Sequence, residues 1–217
     1  MAIKASTIIA NDSILKIEID HVWTSINFLH LFDSITRLYA YNFHLVRSLE
    51  TLESMGKEYN WGKGYKKFPK FNELVFNFRR VTSEILQNPY MNDYESGIYV
   101  SYGVPLFRLQ IRKITFGSKG SVDLFGVGKI FEIITDLIKN YLPNEREKLD
   151  NLIKAKEIEE REQKILQIKI QNLKTLGYNS DEIRSIIGFE SFHINRIKEL
   201  INKDMINDLK IEKHSEN

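Results

Sequence analysis

The chain has 217 residues, of which 42% are hydrophobic, 12% aromatic and 28% charged, a composition that excludes intrinsic disorder and allows one substantial core plus an appendage. Its 31 basic and 29 acidic residues give a formal charge of +2, so no global field selects a nucleic acid or a membrane, and any such footprint has to be local. The absence of cysteine excludes disulfides, thiolate metal sites and cysteine nucleophiles, and fits a cytoplasmic protein. The opening MAIKASTIIANDS carries no apolar run of signal-peptide length, and no stretch approaches ~18 uninterrupted apolar residues, so no membrane partner is expected.

Residues 3–9 and 14–19 are β-branched runs separated by the turn formers Asn11, Asp12 and Ser13, which predicts a hairpin. Leu15, Ile17 and Ile19 alternate with Lys16 and Glu18, the period of a strand with one wet face. Over residues 22–55 the apolar positions change to a spacing of three and four (Phe28, Leu31, Phe32, Ile35, Leu38, Tyr39, Leu45, Val46), which predicts the main core helix. Asp33 and Arg37 are placed to pair on its outer side. His30 and His44 are too far apart on that helix to chelate one ion, and no carboxylate completes a ligand spacing, so no metal or cofactor is expected.

Three glycines and a proline make residues 56–69 a loop. Residues 57–80 hold seven basic and two acidic side chains, interleaved with aromatics. Lys63, Lys66, Lys67, Lys70, Arg79 and Arg80 with Trp61 and Tyr65 are therefore candidates for phosphate tracking and base stacking. The competing reading, that the aromatics pin the loop to the core and the lysines solvate it, is preferred because no RNA-module signature surrounds the patch. A helix over residues 71–86 and strands over 98–102 and 106–116, joined by Gly103, Val104 and Pro105, follow.

Residues 116–129, FGSKGSVDLFGVGK, read as a glycine-rich bend leading into an amphipathic helix that Ser121 or Asp123 caps and that runs through Ile130, Phe131, Ile134 and Ile138. Gly117, Ser118, Lys119, Gly120 and Ser121 are candidates for anion binding at that helix start. Neither phosphate motif is met: Ile130 stands where a P-loop needs Ser or Thr, and Phe131 where a dinucleotide fold needs a small residue. Gly126 and Gly128 read instead as flat places where another element approaches closely. The segment GSKGSVDLFGVGK, with its preceding strand and following helix, resembles a family of uncharacterised bacterial proteins that also begin with a strand and a long helix. The likeness extends over residues 14–142, supports the α+β architecture and implies no activity.

After Pro143, residues 144–176 form a helix with a charged middle, KAKEIEEREQK, which is expected to project from the core and to bury its remaining apolar stripe by self-association. Gly177 stops it and Asn179 or Ser180 caps the next helix. Ile183, Ile187, Gly188, Ile194 and Ile197 have the spacing of a helix-turn-helix unit followed by a wing strand, which would put Ser191, His193, Asn195 and Arg196 in a major groove. Seven basic against eight acidic residues from Lys174 onward argue for a helical interaction module instead.

The expected fold is α+β: two ββα units forming a mostly antiparallel four-stranded sheet with long helices on one face, then an all-helical C-terminal extension. The expected division is a core over residues 1–142, a charged helix over 143–176, a helix-turn-helix-like module over 177–211 and a disordered tail over 212–217. No Ser/His/acid or paired-carboxylate arrangement argues for catalysis. The expected function is a non-catalytic, self-associating protein–protein interaction protein, a homo-oligomer that can take a protein partner. The alternative is a nucleic-acid-binding regulator using residues 57–80, residues 180–211, or both.

Overall fold

The computed structural model describes residues 12–58, 79–80, 109–116, 119–142 and 152–213. β1 (Asp12–Ile19) is central in a four-stranded antiparallel sheet of order β2-β3-β1-β4, with β2 spanning Gln110–Thr115, β3 Gly120–Val127 and β4 Ile206–Lys213. Its even alternation decides its faces: Ser13, Leu15, Ile17 and Ile19 are buried, and Ile14, Lys16 and Glu18 between them are half-buried. The register pairs Leu15 with Leu124 and Ile17 with Val122 on one side and Ile17 with Leu209 on the other. The apolar residues therefore line one face of the sheet.

That face is covered by α1 (Ser25–Glu58), α2 (Gly128–Ile138) and α4 (Ser180–Asn202), which contribute Leu31, Ile35, Leu38 and Tyr39, then Ile130, Phe131 and Ile134, then Ile197, Leu200 and Ile201 to one core. α1 starts where Thr24 caps it, accepting from Asn27 N–H at 3.3 Å, while Trp23 ahead of the cap packs on Phe28 at 4.8 Å between ring centres. Such a hydrophobic staple fixes the direction in which the chain enters the helix.

The fold class is the expected one, an antiparallel four-stranded sheet with flanking helices, but its strands are drawn from different places. Residues 3–9 and 98–102 lie outside the described residues, as do all of the helix expected over 71–86 except Arg79 and Arg80, which are helical, and residues 59–69 of the loop expected over 56–69, whose first three residues instead end α1, because the apolar face of that helix carries it past Gly56. β3 occupies the stretch read as a bend and helix start. Its inward positions are Gly120, Val122, Leu124 and Gly126, so two glycines interrupt the apolar alternation that marks a strand in sequence. Ser121 and Asp123 are consequently strand residues and cap nothing; α2 begins after Val127 with no side-chain cap. Gly120 is required because a Cβ there would collide with the Thr115 carbonyl oxygen across the β2–β3 turn.

The C-terminal part of the long charged helix, α3 (Leu152–Thr175), docks on the core: Lys169, Leu173 and the following Leu176 are buried beside Ala40, Tyr41 and Leu45 of α1 and Ile183 and Ile186 of α4. It ends in a Schellman motif, with Gly177 at φ 85° and Tyr178 N–H donating to the Leu173 carbonyl at 3.1 Å. A capping box then starts α4: Asn179 Oδ1 accepts from Asp181 and Glu182 N–H, each at 3.0 Å, and Glu182 accepts from Asn179 N–H at 2.8 Å.

α4 corrects the helix-turn-helix reading, because it runs unbroken through Gly188. A glycine inside a helix costs only about 1 kcal/mol relative to alanine. The burial of Ile183, Ile186, Ile197, Leu200 and Ile201 along one continuous stripe outweighs that cost. After α4, Asp204 at φ 55° turns the chain, with Met205 N–H donating to the Leu200 carbonyl at 3.0 Å. The C-terminal region, helical from Leu152 to Asn202 apart from the short turn at residues 176–179, thus returns to the sheet as β4, which hydrogen-bonds to β1.

Candidate functional site at the α1–α4 seam

α1 and α4 run antiparallel: Asp33 meets Arg196, Ser34 meets His193 and Tyr41 meets Phe189, so one helix ascends as the other descends. The seam is polar at this level. Asp33 accepts from Arg37 Nε at 2.7 Å and from Arg196 Nη1 at 2.5 Å, and the Arg196 guanidinium lies over the Phe192 ring, 5.4 Å from its centre. His193 is buried with its ring edge-on to both Phe189 and Phe192. Burial pushes its pKa down to about 4; Asp33 opposes this, and Arg37 and Arg196 reinforce it.

Asp33, Ser34 and His193 are the residue types of a catalytic triad, but they are arranged otherwise. Ser34 Oγ and Asp33 Oδ2 lie at 3.4 and 4.0 Å from the same ring nitrogen, Nδ1, whereas general-base catalysis needs the serine on the opposite nitrogen. Ser34 is also fully buried, and Asp33 is engaged by two arginines. Among the described residues no group of three or more His, Cys, Asp and Glu could hold a metal ion. With cysteine absent from the whole chain, thiolate catalysis is excluded.

The four residues proposed to read a groove separate onto two sides of α4. His193 and Arg196 face α1, while Ser191 and Asn195 line a cleft of about 180 Å³ between α2, α3 and α4. Inside it Lys169 and Glu190 form a buried ion pair, and the Lys198 ammonium sits 3.6 Å from the centre of the Tyr141 ring, whose hydroxyl donates to Glu162 at 2.6 Å. Burial lowers the Lys198 pKa and, together with the bond to Glu162, raises that of Tyr141.

Of the basic and aromatic candidates, Arg79 is held bidentately by Glu182, with Nη2 at 2.6 and 2.5 Å from the two carboxylate oxygens, and Arg80 is exposed. Trp61, Lys63, Tyr65, Lys66, Lys67 and Lys70 lie outside the described residues, as do Gly117 and Ser118. Lys119 is in the turn, and Gly120 and Ser121 open β3, so the helix N-terminus on which anion binding depended lies instead at Gly128, beyond the strand.

Exposed apolar side chains around the start of α1 and on α4 were not singled out from sequence. With Trp23 and Phe28 stapled inward, Val22, Ile26 and Leu29 are left 86%, 60% and 61% exposed. No Asp, Glu, Lys or Arg occurs between Asp20 and Asp33. Across the seam Phe192 is 57% exposed. Ile26 and Leu29 could have been found as apolar positions lying off the face defined by Leu31, Ile35 and Leu38. Leu29 is one turn from Asp33 on α1, and Phe192 one turn from Arg196 on α4, so exposed apolar groups flank the Asp33–Arg196 bridge. Among the described residues, no helix is long and apolar enough to cross a membrane. The chain matches no protein-family model, no curated protein and no solved structure.

Proposed function

We propose that the protein acts without catalysis, by self-association through the α1–α4 seam. The observation that carries this reading is the exposure of Ile26, Leu29 and Phe192, three large apolar side chains more than half exposed on the two helices that the Asp33–Arg196 bridge joins. Exposed apolar surface rimmed by polar groups is a mark of protein contact. Its neighbourhood supplies no arranged nucleophile and base, as the Ser34–His193 geometry indicates.

Size-exclusion chromatography with light scattering, with and without mixed nucleic acid at two salt concentrations, tests the reading. Self-association predicts a mass that rises with protein concentration and is indifferent to nucleic acid. A monomer that co-elutes with nucleic acid only at low salt supports the alternative regulator, acting through the basic stretch at residues 57–80.

A further inference from the structure

We propose that the cleft between α2, α3 and α4 binds a free α-amino acid with a small aliphatic side chain, its carboxylate on Lys198 and its ammonium on Glu162. The inference is independent of the self-association reading and concerns the other side of α4. α3 contributes Glu162, Ile165 and Lys169, spaced three and four apart, and α4 contributes Ser191, Asn195 and Lys198, spaced four and three apart, so each helix turns one stripe into the cleft. Leu137 of α2 and Tyr141 beyond it close the third side. The most buried of the lining groups are Lys169 and Glu190, an ion pair with side chains 10% and 8% exposed. For stability alone, apolar residues serve as well as such a pair or better. Fixed charges beneath an open cleft suit a polar occupant.

Charge decides which occupant. The Lys198 ammonium lies 3.6 Å from the centre of the Tyr141 ring and has no carboxylate partner among the described residues. Burial lowers its pKa against the opposing pull of Glu162, so an anion brought to it would restore the charged form. Glu162 accepts from the Tyr141 hydroxyl at 2.6 Å and has no cationic partner among the described residues. One tyrosine thus holds an unpaired carboxylate at its hydroxyl and an unpaired ammonium over its ring. The other charges lining the cleft are already neutralised, Glu190 by Lys169 and Asp136 by Lys139. A lone anion would be drawn to Lys198 but repelled by Glu162, and a lone cation the reverse; a zwitterion answers both. Ser191 and Asn195, on the Lys198 stripe, offer the carboxylate further hydrogen-bond donors. Leu137, Ile165 and Ile194 give the side chain an apolar wall. The cleft volume of about 180 Å³ is near that of a cavity of roughly 150 Å³ that takes up benzene, which keeps the side chain small. An apolar lining with a few convergent polar groups and a perturbed lysine is the pattern of a small-molecule site.

Isothermal titration calorimetry of the full chain with L-alanine, L-valine, L-leucine and L-methionine tests the site. At least one should bind with a Kd on the order of 0.1–1 mM. The matched carboxylate lacking the amino group and the matched amine lacking the carboxylate, which for L-leucine are 4-methylpentanoate and 3-methylbutylamine, should bind about tenfold more weakly or worse. Lys198→Met and Glu162→Gln should each weaken amino-acid binding by about tenfold or more, and Glu162→Gln should also improve binding of the matched carboxylate several-fold, because the repelling charge is gone. Glu162 is exposed and glutamine keeps an acceptor for the Tyr141 hydroxyl, and an unchanged circular-dichroism spectrum establishes that each variant is folded. Should Lys198→Met fail to fold, the opposite effects of Glu162→Gln on amino acid and carboxylate decide alone. No binding of any of the four at about 10 mM, a carboxylate that binds as tightly as its amino acid, or a folded Lys198→Met that binds as wild type does overturns the proposal.

Discussion

The Tyr39 hydroxyl, buried on α1, accepts a hydrogen bond from the Val127 backbone N–H at 2.8 Å, directly beside Gly126. This bond ties the main core helix to the junction at which β3 becomes α2. A Cβ at Gly126 would come within 2.8 Å of the same hydroxyl oxygen and 3.0 Å of the Phe131 ring. Glycine is therefore required there by close approach. Gly126→Ala is expected to destabilise by about 1–3 kcal/mol, and Tyr39→Phe by about 1–3 kcal/mol because it leaves a buried N–H unpaired. Combined, the two should cost less than their sum, because removing the hydroxyl opens part of the space the new methyl needs. Urea denaturation of the two single variants and the double variant measures this coupling, and strict additivity would contradict it.

Lys169 and Glu190 form an ion pair with side chains 10% and 8% exposed, and the ammonium lies 5.2 Å from the centre of the Tyr41 ring. Removing one partner strands a buried charge, so Lys169→Met should cost about 3–5 kcal/mol, whereas Lys169→Met with Glu190→Leu should recover most of it. Chemical denaturation distinguishes this from a surface pair, for which both variants would lie within about 1 kcal/mol of wild type.

Gly188 sits in mid-helix with nothing within 4 Å of where a Cβ would be. Gly188→Ala should therefore stabilise the fold by about 0.5–1 kcal/mol, seen as a raised Tm. A lowered Tm would mean that α4 needs glycine for a break, as the helix-turn-helix reading required.

His193, with a folded pKa lowered to about 4 from an ordinary value near 6.5, binds fewer protons folded than unfolded between those limits. Stability therefore rises with pH across that window and is lost as pH falls through it. From pH 7 to pH 5 this group alone should remove about 2 kcal/mol. His193→Gln should flatten the profile between pH 7 and 5; an unchanged slope would place the titration elsewhere.

Much of the frame is readable from local chemistry. Leu15, Ile17 and Ile19 alternate with charged residues, Leu31, Ile35 and Leu38 share one helical face, and Gly177 with Asn179 punctuates α3 and α4, so these elements follow from period and capping. β3 is hidden because two of its inward positions are glycines. β4 is legible as a strand, the expected wing, but its place is not, because only the β1 edge across the fold makes that segment part of the core sheet. The seam is the least legible part: the Asp33–Arg196 contact joins residues 163 apart, and Ile26 and Leu29 merely look like a widened apolar stripe until Trp23 and Phe28 are seen stapled inward. Charge counting weighed against the groove-reading assignment of His193 and Arg196, but it could not tell that the two are held by α1.

The central claim, association through exposed Ile26, Leu29 and Phe192, is tested most directly by sedimentation equilibrium of wild type and Phe192→Glu from about 1 to 300 μM, where a Kd anywhere in that range shows as a rising mass. The account predicts that wild type approaches twice the monomer mass while Phe192→Glu remains a folded monomer throughout. A wild-type chain that keeps the monomer mass over the whole range, or a variant that associates as wild type does, would contradict it.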